Sequence, residues 1–157
     1  MTKHWSQFQP IIALQPDISV PLLAAVLADI RLFTRIPLVP EQIGQPLGHS
    51  AWMTIDQARI TAFAEATDDR QWIHVDEARA RGESPFGAPV AHGFLTLSLL
   101  PRLTGEVFDV AGITTRINYG LDRLRFIAPV VVDSRVRAAV TLSAIDDRGD
   151  GRHLVRT

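Results

Sequence analysis

FAEATDDRQWIHVDEARARGESPFGAPVAHGFLTLSLL, residues 63–100, is the stretch whose reading decides the fold. Its first part leaves a short helix at Asp68-Asp69 and enters a polar segment carrying Asp69 and, five residues later, His74. Ala91-His92-Gly93 then opens a run, residues 93–100, in which only Thr96 and Ser98 are polar. A helix apolar on nearly every side is a buried one, so this run is expected at the centre of the fold, limited or kinked by Pro101. An acid and an imidazole held close together suit proton transfer to and from water. A glycine at a helix start offers free backbone N–H groups to a developing oxyanion. Together these parts point to the addition or removal of water.

Working outward, Thr54-Ile55-Asp56-Gln57 reads as a capping box in which Thr54 accepts from the Gln57 N–H. The helix it opens runs to about Thr67 and buries Ile60, Phe63 and Ala64. A second short helix is expected over 76–81, with a loop at 82–85. Upstream, residues 1–17 read as an irregular, Pro-punctuated arm. Ser19 can cap a helix over 20–33 whose apolar stripe includes Leu22, Val26, Ile30 and Phe33, before Pro37 and Pro40 break the chain.

After Gly112 the texture becomes β. Residues 113–120 and 122–132 read as strands, split near Gly120 and Pro129. The clearest strand is 135–145, where Val136, Ala138, Val140, Leu142 and Ala144 alternate with Arg135, Arg137, Thr141 and Ser143. Residues 146–152, with Gly149 and Gly151, make a hairpin turn, and 153–157 begin the return strand.

The whole chain of 157 residues has room for one domain with a real core. It is 46% hydrophobic and 21% charged with a formal net charge of -1, which gives no global pull toward nucleic acid or an anionic membrane. The absence of cysteine removes disulfides, a thiol nucleophile and Cys-based metal sites, and it fits a reducing cytosol. No charged start leads into a continuous apolar run, and the longest apolar stretch near the N-terminus, 20–28, is under half a bilayer span. A soluble, cytoplasmic chain is the expectation.

The ordered series Phe63-Ala64, Ala66-Thr67, Asp69-Arg70-Gln71-Trp72-Ile73-His74-Val75-Asp76, Phe86-Gly87, Ala91-His92-Gly93 and Leu95-Thr96-Leu97-Ser98-Leu99-Leu100 resembles the MaoC-like dehydratases. These are the (R)-specific enoyl-CoA hydratases of the hot-dog fold, and the similarity is greatest to their nodulation-protein-N-like branch. Weaker landmarks follow at residues 117–120 and 125–130. One departure stands out: most of the family has Asn and Pro where this chain has Gln71 and Trp72.

The resemblance implies an α+β domain over 41–157, a curved antiparallel sheet wrapped around the central apolar helix, preceded by an extension over 1–40. Family members carry more of the return strand and one strand beyond it, so the fold is expected to be short at its C-terminal end. The implied reaction is reversible syn hydration of a trans-2-enoyl-CoA to an (R)-3-hydroxyacyl-CoA, with Asp69 and His74 catalytic and sharing one water. Gly93 would bind the thioester oxygen, although close packing where the chain enters the helix explains a glycine equally. Gln71, Trp72, Phe86 and Ser98 are candidate substrate contacts, and Arg79, Arg81, Arg123 and Arg125 are candidate phosphate contacts. His92 reads as a structural histidine bonded to a loop carbonyl, or as a third ligand beside His74 and Asp76. Asp76 reads better as a helix cap, so no metal is expected. The thioester itself acidifies C2, so no cofactor is expected either. The implied partners are an acyl-CoA thioester and a second copy of the chain in a homodimer. A non-catalytic acyl-CoA-binding module and a hot-dog thioesterase are the alternatives.

Overall fold

A computed structural model describes residues 13–14, 36–37, 40–110, 113 and 115–157. The helix expected over 20–33 lies outside the described residues. In chain order the elements are β1 (Ala13–Leu14), β2 (Ile36–Pro37), β3 (Pro46–His49) and β4 (Met53–Thr54). Then come the helices α1 (Gln57–Thr67), α2 (Trp72–Val75), α3 (Glu77–Glu83), α4 (Gly93–Ser98) and α5 (Leu100–Gly105). The chain finishes with β5 (Phe108–Asp109), β6 (Arg135–Val136), β7 (Ala138–Thr141), β8 (Ala144–Asp147) and β9 (His153–Arg156).

The alternating run after Ser134 supplies β6, β7 and β8, one extended stretch broken at Arg137 and at residues 142–143. β6 pairs antiparallel with β4, and β7 lies antiparallel between β1 and β3. Residues 46–54 therefore run along residues 135–141. The alternation does what its period requires: Val136, Ala138, Val140 and Leu142 are sealed from solvent, while Arg135, Arg137 and Thr141 stay partly exposed. Facing this row, Leu95, Leu99 and Leu103 form one stripe along α4 and α5, and all seven join a single core cluster. β8 and β9 close a hairpin, with Gly149, Asp150 and Gly151 at positive φ in its turn. The architecture is an α+β hot-dog fold, mostly antiparallel strands with β2 parallel to β5, laid against a central helix.

α4 stops at Ser98, two residues short of its expected end, and a separate helix, α5, follows. Leu99 closes α4 and starts α5, and Pro101 falls in the first turn of α5, where a missing N–H leaves no ladder bond unmade. Nor is the run buried all round. Phe94 is 66% exposed because one face of the helix meets the sheet and another does not.

Three local expectations need correction. The cap of α1 is Asp56, whose carboxylate accepts from the Arg59 N–H at 2.8 Å; Thr54 is already committed to β4 opposite Arg135. α3 continues through Gly82 and Glu83, where a loop was expected, because the Arg79–Glu83 and Arg81–Glu77 pairs brace its exposed face. The strands expected at 113–120 and 122–132 do not form among the described residues, apart from an isolated bridge between Val131 and Val90. β-branched composition favours a strand only where a neighbour takes its backbone bonds and a surface takes its side chains. Ile117, Tyr119 and Ile127 find neither and are more than four-fifths exposed.

Candidate active site

α1 stops because Asp68 adopts a left-handed conformation, φ 58°, which turns the chain out of the helix and presents Asp69. Residues 72–75 then make the single turn α2, closed where the His74 N–H donates to the Gln71 carbonyl at 2.9 Å. The Gln57 amide donates to the His74 carbonyl at 2.8 Å and ties this turn to the start of α1.

His74 is buried, with Nδ1 2.6 Å from the Val90 carbonyl oxygen. A carbonyl can only accept, so Nδ1 carries the proton and Nε2 is left as a bare lone pair. Among the described residues nothing donates to that nitrogen. Burial pushes the His74 imidazole below its ordinary value of 6.5, and the neighbouring His92 adds to the effect. The Val90 carbonyl and the Asp69 charge oppose it. The imidazole is thus held neutral, with its Nε2 lone pair free to accept a proton.

His92 lies directly against it. The two rings stack with centroids 3.7 Å apart and planes 25° apart, and Phe63 packs on His92 at 5.0 Å. His92 Nε2 is 2.9 Å from the backbone carbonyl of Asp69 and 4.0 Å from its carboxylate. The nitrogens of both rings and the Asp69 carboxylate supply one atom each within a mutual 4.8 Å, the one such trio among the described residues. Asp76 takes no part, since its carboxylate caps α3 by accepting from the Arg79 N–H at 3.0 Å. One nitrogen of each imidazole already serves a carbonyl, Nδ1 in His74 and Nε2 in His92. Separations of up to 4.8 Å between such groups are ones that a single water can bridge.

Gly93 begins α4, and its N–H makes no hydrogen bond among the described residues. The Phe126 ring fills the space where a Cβ would stand, only 2.7 Å from that position. The glycine is therefore demanded by packing, whatever its N–H does. Thr96 and Ser98 donate back to the Gly93 and Leu95 carbonyls, each at 2.7 Å, as helical hydroxyls commonly do. Trp72 is half-buried under the Arg79 guanidinium, 4.3 Å from its ring, and Phe86 is exposed. Gln71 begins α2 without a side-chain cap bond.

Arg79 and Arg81 are occupied by their ion pairs to Glu83 and Glu77, which weakens them as phosphate contacts. Sequence reasoning read Gln57 only as part of a helix cap and had no role for the Val90 carbonyl or the Phe63 contact with His92. Phe63 left a signal, as an apolar residue on the helix before Asp69.

Comparison with known proteins completes the picture. Residues 39–157 match the family model described as the MaoC like domain. The 3-hydroxyacyl-thioester dehydratase Z of Mycobacterium tuberculosis is 48% identical over 121 residues, covering 77% of this chain and 80% of that protein. Nodulation protein N of Rhizobium leguminosarum bv. viciae is 52% identical over 112 residues, covering 71% of this chain and 70% of that one. Among solved structures, the monoamine oxidase regulatory protein from Archaeoglobus fulgius superposes with a TM-score of 0.59 at 27% identity, over 77% of this chain and 80% of its own.

Proposed function

The chain belongs to the MaoC-like domain family, and from that premise we propose that it is a hydro-lyase acting on an acyl thioester, the reversible syn hydration of a trans-2-enoyl-CoA to the (R)-3-hydroxyacyl-CoA. The observation that carries this reading is that His74, whose Nε2 has no hydrogen-bond partner among the described residues, and the Asp69 carboxylate belong to one cluster whose ligand atoms lie within 4.8 Å of one another. His74 removes a proton from that water as its oxygen bonds to C3. The C2–C3 π electrons move toward the thioester carbonyl, and the Gly93 N–H bonds the oxygen as it gains enolate charge. The proton held by the His74–Asp69 pair returns to C2 on the same face, so water is added without net change in the protein. Dehydration is the same path reversed.

The substrate carries its own activation, since the thioester acidifies C2, and the step calls for no metal or redox cofactor. Trp72 and Phe86 are placed near the pair in sequence and supply apolar surface for the acyl chain. A homodimer is part of the proposal, supported by the apolar side chains of Ile117, Tyr119 and Ile127 that no described element covers.

The test is to follow crotonyl-CoA by enoyl absorbance and free thiol together. Loss of absorbance without thiol release is expected. Thiol release would identify a thioesterase, and thermal stabilisation without either reaction would identify a binding module.

A further inference from the structure

His92 has no step in the reaction above, yet it is the most enclosed of the three site side chains, 3% exposed against 56% for Asp69. One ring touches both members of the proposed pair. Its Nε2 reaches the Asp69 backbone carbonyl at 2.9 Å, and its face lies on His74 at 3.7 Å. Its other nitrogen, Nδ1, is sealed from solvent with no partner among the described residues. A side chain needed only to fill space here would avoid an unsatisfied buried nitrogen, and phenylalanine would serve. The polar ring is explained by what its Nε2–H holds.

We infer that His92 is a positioning residue for the hydration, its Nε2–H fixing the Asp69 backbone and its ring fixing the plane of His74. One side chain then sets the separation across which the water is held. This rests on the proposed roles of Asp69 and His74. A second consequence concerns protonation. The groups facing His74 are His92 on one ring face, the Asp69 carboxylate from the loop after α1, and the Val90 carbonyl before α4. Of these, His92 alone opposes a positive charge on His74.

Two variants separate the contacts. His92→Gln keeps a donor for the Asp69 carbonyl and loses the ring; His92→Phe keeps the ring and loses the donor. In both, kcat should fall while KM holds, by on the order of 10²-fold where the misplacement reaches about 1 Å. The acid limb of kcat/KM should move to higher pH in both, because a second imidazole no longer resists protonation of His74. An acid limb that stays in place, or a loss confined to KM, overturns the inference. Ring NMR of the unaltered chain tests the same arrangement without turnover: His92 is expected as the Nε2–H tautomer and His74 as the Nδ1–H tautomer. An Nδ1–H tautomer at His92 overturns the inference even if neither variant folds. Failure of the acid–base reading looks different, since Asp69→Asn would then hydrate at full rate.

Discussion

An imidazole taken out of water with one nitrogen bound to a carbonyl can do little but accept a proton at the other, and His74 is in that condition. Its depressed pKa fixes the sign of two effects. Activity requires the neutral ring, so kcat/KM should fall on the acid side with a midpoint below 6.5, and His74→Gln should abolish that limb along with most of the rate. Stability moves the same way. Below the unfolded value of roughly 6.5, the unfolded chain binds a proton at His74 that the folded chain refuses, so this contribution is lost as pH falls toward the folded pKa. The melting-temperature advantage of the native chain over His74→Gln should therefore narrow between about pH 7 and about pH 5. An advantage that widens would contradict the burial argument. The Asp69–His74 pair was legible from the ordered series around it, which resembles the family, rather than from its spacing alone. The stacking of His92 was not. It depends on a contact to Asp69 twenty-three residues away, which the folding of α4 beside α2 creates.

Among the elements, the helix starts carry the sharpest consequences. Asp56 caps α1 alone, so Asp56→Ala should lower stability by about 1 kcal/mol in a urea melt, while Thr54→Ala leaves the α1 cap intact. Equal losses would restore the capping box read from sequence. That box was misplaced because Thr54 and Asp56 are both good caps, and only the pairing of β4 with β6 removes Thr54 from the competition. At α4, Gly93→Ala sets a methyl against the Phe126 ring, and overpacking of this kind typically costs about 1–3 kcal/mol. Phe126→Leu in the same chain should recover part of that loss, and a double-mutant cycle of melting free energies measures the coupling. Additive losses would mean that the ring does not press on Gly93. The alternation over 135–145 foretold the inward row from Val136 to Leu142 because period two is a property of the strand itself. The texture of 113–132 misled because a strand also needs a partner, which composition does not reveal.

At the scale of the whole molecule, an apolar row on the sheet meets one stripe of the central helix, and the segment from Ile117 to Ile127 presents apolar side chains outward. A second copy of the chain is the proposed cover. Ile127→Lys with Ile117→Lys should therefore shift the sedimenting species from dimer to monomer at equal concentration, and an unchanged mass would place the subunit contact elsewhere. No helix among the described residues is long and apolar enough to cross a membrane. Exhaustive dialysis against a strong chelator should leave hydration intact. Loss of activity restored by a divalent ion would instead turn the Asp69–His74–His92 trio into a metal centre. The central claim is that Asp69 and His74 move the proton of one water onto and off an enoyl thioester. It is tested most directly by crotonyl-CoA hydration in Asp69→Asn and His74→Gln proteins whose melting curves match the native chain. Each should lose about 10²–10⁴-fold in kcat with no thiol released, and a loss of less than about tenfold in either folded variant would contradict the account.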